Sequence, residues 1–306
     1  MRRRWMWVGQ VVLALLVAGF VARALVRYWD EFRALEIALD LHAGPIVLAA
    51  LTVWLTYVLL IEAWRRIILG WGETLAYRPA VRIWCLSNMG RYLPGKVWSV
   101  AGLAVLAQRA GVSGWAAAGS ALAMQALAVG TGASVVAVFA PGVVSPLQLV
   151  IAAVLALGAV GVLTSRPLVE RAAGLLRPEA EFRALAPGTA LAAGAITLLG
   201  WAAYGVAFWL LARGLFGEVA VSLPAAIGVF AAGYIVGLLA LFAPGGVGVR
   251  ELVFVAMLTP LIGSGGAVAL SVASRILLTV TELCAALAAL ALGARSKEGG
   301  SDGQAV

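Results

Sequence analysis

At residues 87–98 the chain reads S-N-M-G-R-Y-L-P-G-K-V-W, with apolar sequence on both sides. Residues 243–251 read A-P-G-G-V-G-V-R-E and share the pattern Pro-Gly-x-Val with the first stretch. Proline and glycine are the residues least suited to a helix interior, and both stretches also hold cations that a lipid-facing helix would not keep. The two stretches are therefore predicted to be functional interruptions of helices. A plain proline kink is the alternative, and the repeated pattern makes it less attractive.

The composition is that of a helical membrane protein. Of the 306 residues 63% are hydrophobic and 12% charged, and the mean hydropathy is +1.02. Such a chain lacks the polar surface that a soluble fold of this length needs. The formal charge of +8 is interpreted as topology signals and contacts with anionic lipid, and no nucleic-acid partner is expected.

The few residues suited to redox or metal chemistry are isolated in the sequence. Cys85 and Cys284 both lie in apolar segments without metal-ligand spacing, and His42 is the only histidine. We expect the cysteines to be buried packing thiols and His42 to be a loop residue. No metal, cofactor or disulfide framework is predicted.

The apolar runs predict an all-α, polytopic membrane domain over residues 1–294 and a disordered cytoplasmic tail over 295–306. Uninterrupted spans are predicted at residues 5–24, 45–69, 115–140, 147–165, 189–212 and 266–292. The interrupted segments are 81–109 and 225–262, and a polar connection is predicted at 166–187. Because residues 222–242 are long enough to cross alone, the count stays open between six and eight.

The amino-terminal segments have two interpretations each. Residues 1–24 resemble a signal peptide, but their apolar run is long enough to span a bilayer, so a retained first helix is favoured. Residues 27–41 have apolar side chains at spacings of three and four, which is typical of an amphipathic helix on the membrane surface. A solvated loop is the alternative for this segment.

The basic residues predict the orientation. If both termini face the cytoplasm and each interrupted segment returns to the side it came from, most arginines and lysines lie inside, as the positive-inside rule requires. The first interrupted segment then opens from the cytoplasm and the second from outside, so the two are inverted re-entrant segments. Arms of about 13 residues are ~20 Å long, enough to reach past the bilayer midplane.

Six charged residues are predicted at membrane depth, where each needs a partner or a wet cavity. They are Arg91, Lys96, Arg250, Glu251, Arg275 and Glu282. The excess of positive charge suits an anionic group such as a lipid phosphate, which arginine binds as a fork and lysine as a point charge. The alternative is a closed network that pairs Arg275 with Glu251 and Glu282 with Arg250. That alternative is weaker for Arg91 and Lys96, which have no acid nearby in sequence.

Other side chains near the first break add to this prediction. Tyr92, Trp84 and Trp98 could line a headgroup site, although aromatic residues at a membrane interface give the same pattern. Glu62 and Arg66 are four residues apart and are predicted to form a pair on a helix surface.

The chain lacks a nucleotide-binding Walker motif, an aspartate-rich transferase motif and a nucleophile elbow, so an enzymatic function is not expected.

The Pro-Gly stretches R-Y-L-P-G-K-V-W and P-G-G-V-G-V-R-E, together with Q-R-A-G-V-S at 108–113, resemble the transmembrane region of the lysylphosphatidylglycerol synthase family, also called the flippase-like domain family. The resemblance implies a domain that moves aminoacylated phosphatidylglycerol or another envelope lipid between leaflets of the bacterial inner membrane. The soluble synthase domain of that family is not expected here, so translocation without synthesis is implied.

Residue by residue, the motifs and the charged positions give one set of candidate lipid-binding residues. They are Arg91, Tyr92, Pro94, Gly95, Lys96, Trp98, Pro244, Gly245, Gly246, Arg250, Glu251, Arg275 and Glu282. The alternatives are a membrane protein that binds lipid or a partner synthase or glycosyltransferase without moving anything, and an integral-membrane transferase. The lipid, the energy source and the oligomeric state do not follow from the sequence.

Overall fold

The computed structural model describes residues 40–92, 97–139, 145–176, 183–218, 221–240, 246 and 248–298. Its helices are α1 (Ala43–Gly70), α2 (Tyr77–Asn88), a 3₁₀ turn (Met89–Tyr92), α3 (Val97–Arg109), α4 (Gly114–Phe139), α5 (Pro146–Thr164), α6 (Arg166–Leu176), α7 (Pro187–Phe216), α8 (Leu223–Leu239) and α9 (Val249–Glu298). The described parts contain no strand, only an isolated bridge between Asp40 and Phe216. The predicted span 5–24, residues 27–39 of the predicted surface helix and residues 299–306 of the tail lie outside the described residues.

Five of these helices are long and apolar enough to cross a bilayer, which confirms the predicted class of polytopic helical membrane protein. They are Ala43–Gly70, Gly114–Phe139, Pro146–Thr164, Pro187–Phe216 and the part of α9 at Val249–Ala291. α9 is not one straight rod, because Gly263 has φ 72° and ψ 165°, which is not a helical conformation. The break separates an arm at 249–262 from a long helix at 264–298.

The helices α1 and α7 form an antiparallel pair that defines the two ends of the bundle. At one end Trp71 Nε1 donates to the Arg183 carbonyl at 2.8 Å, and the Trp71 and Trp115 ring centroids are 5.3 Å apart. At the other end the Asp40 amide donates to the Leu215 carbonyl at 2.9 Å. We name these the Trp71 end and the Asp40 end.

The helices α2 and α3 form a short antiparallel hairpin. The chain enters and leaves this hairpin at the Trp71 end, and the tip lies inside the bundle. A Cβ on Gly90 would lie 2.8 Å from the Ser99 amide nitrogen, and one on Gly102 would lie 3.6 Å from the Ser87 Cα. Close contacts that run in opposite directions along the two helices make them antiparallel. With 12 and 13 residues, each arm is ~20 Å long or slightly less, about two thirds of the hydrocarbon thickness.

A second antiparallel hairpin consists of α8 and the arm 249–262, and it opens at the Asp40 end. A Cβ on Gly233 would lie 2.2 Å from Phe254 Cε1, and one on Gly237 would lie 3.2 Å from the Arg250 Cβ. α8 is an apolar helix of 17 residues, and it begins shortly after Phe216, which lies at that end. The two hairpins therefore enter the bundle from opposite ends, as the inverted arrangement predicted.

The predicted polar connection at 166–187 contains a helix that the sequence did not reveal, because residues 166–176 form α6, which follows α5 directly. One local prediction was wrong. Cys284 is exposed rather than buried, whereas Cys85 is buried as predicted. Exposure on a membrane helix is compatible with an apolar thiol, because the surrounding lipid is as apolar as the protein interior.

The predicted Glu62–Arg66 pair is confirmed, since Arg66 Nε donates to Glu62 Oε1 at 2.8 Å on the surface of α1. His42 lies just before α1, as a loop residue should. Its Nδ1 is 2.8 Å from the Asp40 carbonyl oxygen.

Candidate functional site

The tip of the first hairpin is held by a buried carboxylate on α9. The 3₁₀ turn at the end of α2 carries Arg91, whose Nη1 donates to Glu282 Oε1 at 2.5 Å and whose Nη2 donates to Asn88 Oδ1 at 2.9 Å. The Tyr92 hydroxyl donates to Glu282 Oε2 at 2.6 Å. Both oxygens of Glu282 are thus bound, and the residue is 5% exposed.

Side chains of α1 hold the α9 segment that carries Glu282. Trp54 Nε1 donates to the Thr281 carbonyl at 3.2 Å, and the Tyr57 hydroxyl is 3.2 Å from Thr281 Oγ1. Trp54 and Tyr57 lie near the middle of the 28-residue α1, so this contact is near mid-depth of the bundle. The tip of the first hairpin is therefore close to the centre of the membrane domain.

The tip of the second hairpin also forms an ion pair, which joins the arm 249–262 to the long helix 264–298 of α9. Arg275 Nη1 donates to Glu251 Oε1, and the Gly248 amide donates to Glu251 Oε2 at 2.7 Å. This is the pairing of Arg275 with Glu251 that the closed-network alternative gave. Arg275 and Glu282 are seven residues apart on α9, which is about two helical turns or ~10 Å. One helix therefore holds the tips of both hairpins.

The charged residues at the hairpin tips form two clusters: Arg91, Tyr92 and Glu282 at the first, and Arg250, Glu251 and Arg275 at the second. Among their described residues, Arg250 is the charge with the fewest partners. It is 7% exposed, and its buried Nε has no hydrogen-bond partner. The nearest carboxylate contact is Glu251 Oε1, 3.8 Å from Nε, which is too long for a hydrogen bond. Its guanidinium carbon lies 5.5 Å from the Phe254 ring centroid. A buried guanidinium with an unmet donor is suited to an anionic ligand.

The predicted pairing of Glu282 with Arg250 is wrong, because Glu282 pairs with Arg91 from the other hairpin. Arg91 and Glu282 are 191 residues apart in sequence, so spacing along the chain gave no sign of this contact. Arg91 consequently belongs to the polar network rather than standing without an acidic partner. In the described parts of the two clusters three arginines face two carboxylates, which leaves one formal positive charge in excess.

Five of the candidate residues, Pro94, Gly95, Lys96, Pro244 and Gly245, lie outside the described residues. Gly246 is described and buried; its φ is +70°, and a Cβ there would lie 3.2 Å from the Gly237 backbone. Glycine is required at this point both by the backbone conformation and by the close approach of the two arms.

The predicted aromatic residues are in different surroundings. Tyr92 contacts Glu282 directly, whereas Trp98 lies in the first turn of α3 and is 51% exposed. Trp84 packs against Trp64, with ring centroids 6.0 Å apart. Tyr92 is thus an aromatic residue that the structure brings into the ion-pair network.

Sequence reasoning missed Tyr57 and Thr279. The Tyr92 hydroxyl is 3.4 Å from Thr279 Oγ1, a weak contact at the edge of hydrogen-bond distance. Thr279 is one turn before Glu282 on α9, and this i, i+3 spacing was the only signal that could have identified it. Tyr57 lies in an ordinary apolar span and gave no signal.

The described side chains include no group of three or more residues that could hold a metal ion. Chemically, the two clusters provide guanidinium and hydroxyl donors next to carboxylates, at the meeting point of two helical hairpins. Such a site can bind an anion and exchange ion-pair partners.

Comparison with protein families identifies the chain's membrane region. The family model described as "Lysylphosphatidylglycerol synthase TM region" matches residues 7–286, which is most of the chain. A comparison with curated proteins finds no match.

Proposed function

This chain belongs to the lysylphosphatidylglycerol synthase transmembrane-region family, and from that premise we propose that it is a lipid transporter of the bacterial inner membrane. In this proposal it moves an anionic or aminoacylated phospholipid, or another anionic envelope lipid, between the two leaflets. Both termini face the cytoplasm, and the domain carries out no enzymatic step.

The observation that carries the proposal is Arg250. A buried arginine whose Nε has no partner among the described residues is costly unless a ligand satisfies it. A phosphate diester offers two oxygens in the geometry that a guanidinium fork matches. Arg250 therefore binds the lipid phosphate, with the Phe254 ring on one side of the guanidinium.

The hairpins supply access to this site. Each one enters from a different end of the bundle, and each tip is bound to the long helix of α9 through Glu282 or Arg275. Interrupted helices in inverted halves of a membrane protein place a binding site near the midplane, where their ends face the ligand. Rocking of one hairpin against α9 would open the site towards one leaflet at a time.

The candidate residues divide into two groups in this scheme. Arg91, Lys96 and Arg250 contact the headgroup phosphate, whereas Glu251, Arg275 and Glu282 form the network that rearranges. Tyr92 and Trp98 border the path of the headgroup. Gly246 allows the close approach of the two arms of the second hairpin beside the proposed lipid site. The Pro-Gly pairs at 94–95 and 244–245 lie outside the described residues and stay predicted site residues.

The test is leaflet exchange in reconstituted vesicles. Purified protein is placed in vesicles that contain fluorescent phosphatidylglycerol, and exchange is read from the fraction quenched by a membrane-impermeant reductant. We expect Arg250→Gln to reduce the exchange rate at least tenfold, since glutamine cannot replace the charged fork. The matched control is Arg213→Gln, because Arg213 pairs with Glu218 at 3.0 Å on the exposed Asp40 end.

The outcomes separate transport from the main alternative. Exchange by folded Arg250→Gln protein at the wild-type rate would contradict the assigned site. Wild-type protein that binds phosphatidylglycerol but exchanges none would instead favour a lipid-binding scaffold for a partner synthase or glycosyltransferase.

A further inference from the structure

We propose that Glu282 is an internal anion that a lipid phosphate displaces from Arg91, and that this exchange brings one proton into the site. The chain would then couple lipid movement to proton movement. This inference rests on the proposed function, because it uses the same site and the same ligand.

The geometry makes Arg91 reachable while its partner is enclosed. The Arg91 side chain is 28% exposed, whereas that of Glu282 is 5% exposed. An incoming anion can therefore reach the partly exposed Arg91 side chain and compete with the enclosed carboxylate of Glu282. Asn88 Oδ1 accepts a hydrogen bond from Nη2 of Arg91. Arg91 can therefore keep this bond while its Nη1 turns from Glu282 to the new ligand.

The exchange removes the cation that Glu282 is paired with, and this favours uptake of a proton by the carboxylate. While Arg91 is paired with Glu282, the pair is neutral overall. When a phosphate oxygen replaces the carboxylate as the acceptor from Nη1, an ionised Glu282 would be left buried without its cation. Loss of a nearby cation and burial both favour the neutral form of a carboxyl group. The carboxylate takes a proton from the aqueous phase and becomes a carboxylic acid, while the lipid forms no covalent bond.

The protonated acid finds its partners already in place. Tyr92 Oη lies 2.6 Å from Glu282 Oε2, and a hydroxyl oxygen can accept a hydrogen bond as well as donate one. Tyr92 can in turn direct its own proton to Thr279 Oγ1, 3.4 Å away. The neutral side chain thus stays satisfied at the same position, with no need for it to reach water.

The titratable groups near Glu282 restrict which side chain can take up the proton. Arg91 and Tyr92 contact Glu282 directly. The other groups near enough to interact electrostatically with Glu282 are Cys85 of the first hairpin, Tyr57 of α1, Tyr204 of α7 and Arg250 of the second hairpin, and Tyr234 of α8 interacts in the same way with Arg91. Thiols, phenols and guanidinium groups titrate at about pH 8.5 or higher. Among the described groups the carboxylates of Glu282 and Glu251 are therefore the candidates for proton uptake, and Glu251 stays paired with Arg275 when the lipid takes the place of Glu282.

The test counts protons on ligand binding. Detergent-solubilised protein is titrated with dihexanoyl-phosphatidylglycerol by calorimetry in two buffers of different ionisation enthalpy. We expect the wild type to take up about one proton per bound lipid and to lose up to tenfold in affinity per unit rise in pH. Glu282→Gln, which mimics the neutral acid, should bind the lipid with no proton uptake and no pH dependence between about pH 5.5 and pH 7.5.

The matched control is Glu62→Gln, which removes a carboxylate that also pairs with an arginine at 2.8 Å but lies outside the two clusters. This variant should keep the wild-type proton count. The wild-type count tests the inference even if Glu282→Gln does not fold.

The remaining outcomes separate this inference from the proposed function. Lipid binding by the wild type with no proton uptake, or uptake that persists in Glu282→Gln, would overturn the exchange and leave the transport proposal standing. Dimethyl phosphate, a diester that does not titrate in this pH range, is the probe for a free anion. Binding of neither the lipid nor dimethyl phosphate by any variant would overturn the proposed headgroup site, and this inference with it. If dimethyl phosphate binds with proton uptake and the lipid does not, the exchange holds, the ligand is a free anion and the transport proposal falls.

Discussion

The buried pair of Arg91 and Glu282 gives a prediction whose size follows from its surroundings. Arg91→Met removes the charge and keeps most of the side-chain length. At 2.5 Å and an effective dielectric of about 20, the attraction is roughly 6 to 7 kcal/mol before desolvation is subtracted. Removing one partner of a buried pair typically costs about 3 to 5 kcal/mol, because the other charge remains buried. The lower end applies, since Tyr92 still donates to Glu282. We expect a loss of about 3 kcal/mol in the free energy of unfolding at pH 7.

Unfolding of purified protein in mixed dodecylmaltoside and sodium dodecyl sulfate micelles, followed by circular dichroism, measures this loss. The matched control is Arg66→Met, since Arg66 pairs with Glu62 but its side chain is 46% exposed. That change should cost no more than about 0.5 kcal/mol. In the double variant Arg91→Met/Glu282→Gln, most of the lost stability should return, because no carboxyl group is left that must either stay charged without its cation or take up a proton on folding. Equal losses for Arg91→Met and Arg66→Met, or no recovery in the double variant, would refute the assignment of a buried ion pair.

Two further predictions concern packing between helices. Gly233→Ala should lower the free energy of unfolding by about 1 to 3 kcal/mol in the same assay, because its Cβ would lie 2.2 Å from the fully buried Phe254 ring. Gly158→Ala is its control and should not destabilise, since nothing lies within 4 Å of that Cβ; equal losses would contradict the close packing of the second hairpin. Thr131→Val should cost about 1 kcal/mol, because Trp201 Nε1 loses the acceptor that it binds at 3.1 Å, and no measurable change would argue against this contact between α4 and α7.

Most of the fold could be predicted because long apolar runs report directly on membrane helices. The predicted spans at 45–69, 115–140, 147–165 and 189–212 agree with α1, α4, α5 and α7 to within a few residues. The break before the last span was also predicted, and Gly263 accounts for it with a backbone conformation that favours glycine. α6 was missed because a short polar helix has no apolar run to mark it.

The site was only partly predictable, because helix packing brings together residues that sequence spacing does not relate. The pairing of Glu251 with Arg275 was anticipated only in the closed-network alternative to a lipid site. The partner of Glu282 depends on where the tip of the first hairpin meets α9, and nothing within either segment fixes that register. For the same reason Tyr57 gave no signal, although it binds the turn of α9 next to Glu282.

The most direct measurement of the central claim is native mass spectrometry of the lipids retained by the purified protein. Wild type, Arg250→Gln and the control Arg213→Gln are compared after identical purification. The account predicts that wild type and Arg213→Gln retain one class of anionic or aminoacylated lipid and that folded Arg250→Gln loses it. Retention of the same lipid by all three proteins, or of unselected bulk lipid by the wild type, would contradict a headgroup site at Arg250.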